Sequence, residues 1–257
     1  MQILLTIAYD GTAYAGWQRQ VNAVAVQQKV EEALSTLLNR EVSIRAASRT
    51  DAGVHALGQR ASFFAPELRI PLNKLPMVLC GFLPQDISIT AAKEVPEDFN
   101  PRFDAKFKTY SYNILNAVYP NPLLSRYSEF VPMDLNINAM QESARAFVGK
   151  FDFAAFCATG GSAKTTVREI FACDVQKKTD GLVTLTVTGG GFLYNMVRII
   201  TGTVLYVGLG KINAADINKI ILSKDRKMAG KTMPPQGLTL EHVEYFVDYC
   251  VKLAIKT

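Results

Sequence analysis

Two short stretches of this 257-residue chain hold the residue types that can do chemistry. The first runs Ser48-Arg49-Thr50-Asp51-Ala52-Gly53-Val54-His55-Ala56-Leu57-Gly58-Gln59. Arg49 and Asp51 are two apart, so on an extended backbone they share one side, and Gly53 permits the positive φ of a sharp turn. Such a loop presents a carboxylate beside a guanidinium, or, in the plainer alternative, Asp51 caps a turn. The second stretch, Phe192 to Ile200, reads as the most apolar helix of the chain, with Arg198 inside it. Burying an unpaired guanidinium is costly, so a carboxylate partner is expected. Asn195, Arg198 and Gly202 fall at i, i+3 and i+7, a narrow polar stripe that could face a cleft. Gly189-Gly190-Gly191 ahead of the helix matches no nucleotide fingerprint and reads as a connector.

The elements that must position these residues follow from periodicity. Residues 2 to 9 read as a strand stopped by the turn pair Asp10-Gly11, and Val26, Val30, Ala33 and Leu37 mark an amphipathic helix with Lys29, Glu31 and Glu32 on its polar side. Val42, Ile44 and Ala46 alternate as a strand leading into the Ser48 to Gln59 loop, and Ala61, Phe63 and Phe64 resume an apolar segment behind it. A short helix over Asn73 to Phe82 and a strand over Ile87 to Ala92 complete the first half. That order suggests an α+β sandwich with helices on one face of a mostly antiparallel sheet.

Residues 102 to 108 form the expected seam, which divides the chain into 1–105 and 106–257. Beyond it, Tyr110, Tyr112 and Ile114 share one face of a strand, and Ile137, Met140, Ala144 and Phe147 mark a helix ended by Gly149. Val167 to Val175 and Leu182 to Thr188 form a hairpin about Asp180-Gly181. Asn213 to Leu222 is a short helix, and Val243 to Ala254 is the last segment. The second half resembles the first in flavour without a residue-level repeat.

Composition narrows the classes. An apolar fraction of 49% leaves ample material for a core. No window of about 18 uninterrupted apolar residues and no signal-peptide pattern is present, so a cytoplasmic protein is expected. Cys80, Cys157, Cys173 and Cys250 form no Cys-x-x-Cys pair, and His55 and His242 are the only histidines. The sequence therefore asks for no metal, and it offers no nucleotide-cofactor motif. The net charge of +5 divides as −1 over residues 1–105 and +6 over 106–257. A basic surface of that kind suits a phosphate-rich partner, or is ordinary solubility charge. Trp17, between Gly16 and Gln18-Arg19-Gln20, and Tyr110 could each stack on an unstacked base or pack inward. Lys224, Arg226, Lys227 and Lys231 could grip a backbone or remain a solvated charge run.

Taken together, several blocks resemble the tRNA pseudouridine synthase A (or I) family nearly end to end. They are Tyr9-Asp10-Gly11-Thr12 with Gly16-Trp17-Gln18, Arg49 to His55, Asn100 to Phe103 with Lys108-Thr109-Tyr110, Phe192 to Arg198, and Pro235, Gly237-Leu238 and Leu240. Ser48 departs from the glycine more common in the family. The resemblance implies the pseudouridine synthase fold, with two similar α/β-sandwich halves meeting at a central cleft. It implies isomerisation of uridine to pseudouridine at positions 38, 39 and 40 of the tRNA anticodon stem-loop, by a homodimer and without a cofactor. By likeness, Asp51 is the nucleophile, Arg198 its ion-pair partner, Tyr110 the residue stacked on the flipped base, and Arg49 the one that helps expel it. The competing reading is a non-catalytic RNA-binding α+β protein. An aspartyl phosphotransferase would need Mg²⁺ and a second carboxylate that Thr50-Asp51-Ala52-Gly53 does not supply.

Overall fold

A computed structural model describes residues 1–161 and 163–245, and it resolves into two compact units. The first is Met1–Lys106 together with the described residues from Leu240 onward; the second is Phe107–Thr239. The last strand thus groups with the first unit, although it follows the second in sequence. Cys250 and most of the segment expected over Val243 to Ala254 lie outside the described residues.

The first unit is built on β1 (Gln2–Tyr9), which lies between β3 (His55–Phe64) and β4 (Ile87–Val95), antiparallel to both. Ile3, Leu5 and Ile7 on β1 are fully buried, as expected of a strand with neighbours on both edges. The β1–β3 register runs from Gln2 opposite Phe64 to Ile7 opposite Gln59, then shifts so that Tyr9 faces Ala56. That irregularity re-aims the end of β1, where a bulge commonly serves a site. Helix α1 (Val26–Leu38) carries the expected apolar face, and α2 (Leu75–Cys80) packs on β4.

Three local expectations change here. The strand foreseen from Val42 to Ala46 shrinks to β2 (Arg45–Ala46), paired with β3. Val42 and Ile44 are buried as their alternation demands, but their N–H groups bond to side chains of α1: Ser35 Oγ at 3.0 Å and Glu31 Oε1 at 3.1 Å. Side-chain acceptors satisfy the backbone where a neighbouring strand would otherwise be needed. Glu31, expected on the polar side of α1, is 5% exposed. The loop is also shorter than foreseen, because His55 to Gln59 already belong to β3.

In the second unit β5 (Phe107–Leu115), β9 (Leu182–Gly189), β8 (Val167–Lys177) and β7 (Gly149–Asp152) follow one another across an antiparallel sheet, with β6 (Glu129–Phe130) parallel to β5. Tyr110, Tyr112 and Ile114 are buried along β5. The β8–β9 hairpin turns at Gly181, whose φ of +83° is open to glycine at little cost. Helix α3 (Ile137–Arg145), capped by Asn136 Oδ1 on the Ala139 N–H, packs on β8 and on α4 (Met196–Gly208). Helix α5 (Ile217–Ser223) follows. The final strand, β10 (Leu238–Glu244), passes so close to β3 that a Cβ on Gly58 would meet the Glu241 carbonyl oxygen at 2.4 Å. Helix α4 begins four residues later than the apolar run suggested, because Asn195 adopts a left-handed conformation (φ +59°) that ends any helix on its N-terminal side.

The candidate active site

Asp51 sits on a turn held from below by the chain at Tyr9 to Trp17. The Trp17 N–H donates to the Thr50 carbonyl at 3.1 Å, the Gly53 N–H to the Tyr14 carbonyl at 3.3 Å, and the Val54 N–H to the Asp51 carbonyl at 3.2 Å. Glycines make this approach possible. A Cβ on Gly16, whose φ is +91°, would lie 2.6 Å from the Thr50 carbonyl oxygen, and one on Gly11 would lie 2.0 Å from that of Val54. Thr50 is buried with its hydroxyl 2.7 Å from that of Tyr9. Asp51 beside it is half-buried and Arg49 is exposed.

Further side chains close the ends of the turn. Gln59, with no exposed surface, donates from Nε2 to the Ser48 carbonyl at 2.8 Å and accepts from the Ser48 N–H at 3.3 Å. Its amide thereby bridges the two ends of the loop. His55, buried at the start of β3, accepts from the Gly11 N–H through Nδ1, which lies 3.1 Å from Asp10 Oδ1. Trp17 is 1% exposed and tilted against Tyr9 at 5.9 Å, so it supports the turn from inside instead of offering a surface for a base. Sequence reasoning left Tyr9, Thr50 and Gln59 without roles. The signal available was a buried-type glutamine in an apolar strand following a glycine-rich loop.

Arg198 and Tyr110 belong to the second unit. The Arg198 guanidinium donates through Nε to the Met233 carbonyl at 2.6 Å and through Nη1 to Asn195 Oδ1 at 2.5 Å, while the Arg198 carbonyl accepts from the Met233 N–H at 3.2 Å. These bonds fix the rotamer of a side chain only one turn inside α4. Gly202, expected on a polar stripe with Asn195 and Arg198, instead receives the loop of Gly230 and Lys231, for a Cβ there would meet the Lys231 carbonyl oxygen at 1.8 Å. Tyr110 is 6% exposed and stands edge-on to Phe192 at 5.2 Å. Burial raises the Tyr112 hydroxyl well above its ordinary pKa, with the Glu129 charge adding to the effect and that of Arg198 opposing it.

The basic loop is tied into its own unit. Lys224 pairs with Asp152 at 2.8 Å, and Arg226 donates to the Gly230 carbonyl at 2.9 Å and to Thr232 Oγ1 at 3.0 Å. Lys231 lies 3.8 Å from Glu129. Among the described residues no group of three or more His, Cys, Asp or Glu side chains is placed to hold a metal, and no helix is long and apolar enough to cross a membrane. A carboxylate on a braced turn can act as a nucleophile or as a general base.

Comparison with known proteins defines the family. The family model described as tRNA pseudouridine synthase matches residues 5–104 and 143–246. A tRNA pseudouridine synthase A from Ruminiclostridium cellulolyticum is 47% identical over 244 residues, covering 95% of this chain and 99% of that protein. The synthase of the same name from Geotalea uraniireducens is 48% identical over 244 residues with the same coverage, and that from Caldicellulosiruptor saccharolyticus 46% over 243. Over nearly its whole length, then, this chain belongs to the tRNA pseudouridine synthases, a family of isomerases.

Proposed function

We propose that the protein isomerises uridine to pseudouridine at positions 38, 39 and 40 of the tRNA anticodon stem-loop, with Asp51 as the nucleophile. The glycosidic bond from ribose to nitrogen breaks, the uracil turns, and a bond from ribose to carbon forms; that carbon gives up its hydrogen to solvent and the freed nitrogen takes a proton, so the composition of the nucleotide is unchanged. A cofactor has no part in that balance. Asp51 attacks the sugar or the pyrimidine ring, and in either case must be ionised and held still. Arg198 is its ion-pair partner, Tyr110 stacks on the extruded base, and Arg49 helps bring the base out of the stem. The protein works as a homodimer in the cytoplasm, where tRNA is found, and the +6 excess beyond residue 105 faces RNA backbone.

The observation that carries this reading is the brace beneath Asp51. Backbone bonds from Trp17 and Gly53, together with the Thr50 to Tyr9 contact, hold a half-buried carboxylate on a turn whose neighbour Thr50 points inward. Rigid placement of a reacting group can remove about 7–11 kcal/mol from a barrier. The test is Asp51→Asn, which keeps the shape of the side chain. The variant should bind tRNA within about twofold of wild type and release no tritium from 5-tritiated uridine in tRNA. Normal turnover by that variant would end the assignment, and mapping pseudouridine in the treated tRNA fixes the positions used.

A further inference from the structure

The geometry points to Gln27 and Glu31 of α1 as positioning residues for the turn that carries Asp51, a role that rests on the reading of Asp51 as nucleophile. Both are polar, four apart on one helix, and nearly sealed from solvent at 7% and 5% exposure. Glu31 Oε1 accepts from Gln27 Nε2 at 2.8 Å and from the Ile44 N–H at 3.1 Å, while Oε2 takes Arg19 Nη1 at 3.0 Å. Gln27 Oε1 accepts from Gln18 Nε2 at 2.6 Å and from the Arg19 N–H at 3.1 Å. The Gln27 N–H donates to the Trp17 carbonyl at 2.9 Å.

These bonds lead to the site along two routes. The Gln27 side chain fixes Gln18 and Arg19, directly after Trp17, and its backbone N–H holds the Trp17 carbonyl; the Trp17 N–H is in turn the donor that holds the Thr50 carbonyl. Glu31 fixes Ile44, on the arm of chain that enters the Asp51 loop from the other side. One buried amide and one buried carboxylate thus anchor the chain beside both supports of the turn, Gln18 and Arg19 on one side and Ile44 on the other. A surface helix would gain nothing from burying this pair, because an unmatched carboxylate is costly in the interior and only a full set of donors offsets it. A shift of about 1 Å at a reacting group can cost about 10²-fold in rate without weakening binding.

The experiment measures kcat and KM for tRNA with Glu31→Ala, Glu31→Gln and Gln27→Met, at a temperature where circular dichroism shows each variant folded. Glu31→Ala and Gln27→Met should lower kcat by about 10- to 100-fold with KM within about twofold. Glu31→Gln, which keeps an oxygen for the Ile44 N–H, should recover most of the loss. Folded variants with wild-type kcat, or a loss confined to KM, would overturn the role. If Glu31→Ala does not fold, the kcat of Gln27→Met decides alone. Asp51→Asn runs alongside: an active Asp51→Asn defeats the functional reading, whereas an inactive Asp51→Asn with an undiminished Gln27→Met defeats only the positioning role.

Discussion

Gly16 lies directly against Thr50: at φ +91°, it would place a Cβ 2.6 Å from the Thr50 carbonyl oxygen and 3.1 Å from the Ala52 N. The contact joins the only tryptophan-bearing loop to the turn that presents Asp51. Two separate costs follow from adding a methyl group there. One is left-handed strain in a residue with a Cβ, and the other is displacement of backbone that has no side chain to rotate away.

Gly160 separates those costs, since its φ is +90° and a Cβ there would have nothing within 4 Å. Gly160→Ala should lose about 1–2 kcal/mol of stability from backbone strain alone and leave turnover unchanged. Gly16→Ala should lose about 2–5 kcal/mol and, where still folded, about 10²-fold in kcat. Urea melts with parallel tritium-release assays test this, and equal effects at the two glycines would show that the approach to Thr50 is immaterial.

Much of the fold could be read from alternation and helical period. β1, β5 and the β8–β9 hairpin lie where their apolar residues recur every second position, and α1 where they recur at helical spacing. The departures have two causes, a backbone group that found its partner on a side chain outside its own strand and a backbone conformation that the apolar pattern does not report. Ile44 is buried on schedule, yet its N–H bonds to Glu31, thirteen residues away, so no extended ladder forms. Asn195 halts α4 by its own backbone conformation, which an apolar run conceals. Of the candidate site, a guanidinium inside an apolar run singled out Arg198, whereas the loop alone left Asp51 open between a reacting group and a turn cap, and the family blocks named it. The Tyr9 to Thr50 bond spans 41 residues and leaves no trace in any local window. Gln27 had a trace, because on the helical wheel it falls beside buried Leu34, at the edge of the apolar stripe.

Alkaline pH should destabilise the protein in two stages. Burial, with the Asp174 charge adding, pushes the Cys173 thiol up to about 12. Burial likewise raises Tyr14, helped by its 2.6 Å bond to Asp86 and that group's charge, and raises Tyr112 and Tyr245. A folded pKa above the unfolded one means that the unfolded chain releases its proton first. Its contribution is therefore complete below the unfolded value and lost as pH rises through the folded one. The loss begins near pH 8.5 for the thiol and near pH 10 for the tyrosines, at about 1.4 kcal/mol per pH unit for each group kept neutral in the fold. Urea melts from pH 7 to 10.5 should show stability falling and the fall steepening above pH 10. Cys173→Ala should remove the first stage only, and a flat profile up to pH 10.5 would contradict both.

If Tyr110 meets the extruded base as proposed, its ring and its hydroxyl can be tested apart, because its packing fixes the ring. The ring stands edge-on to Phe192 at an interplanar angle of 86° within a nearly sealed stretch of β5. Phenylalanine fills the same volume with the same edge geometry, so Tyr110→Phe should keep the fold and the stacking face that a base would use. Rejoining uracil through carbon requires that carbon to lose its hydrogen, and a positioned hydroxyl can take part in the transfer. General acid–base assistance of that kind is worth about 10²–10⁴-fold. Tyr110→Phe should therefore bind tRNA within about twofold of wild type and release tritium at least about 10²-fold more slowly. Wild-type turnover would confine Tyr110 to stacking, and Tyr110→Ala would then be expected to lose affinity by about 1–3 kcal/mol for the missing ring.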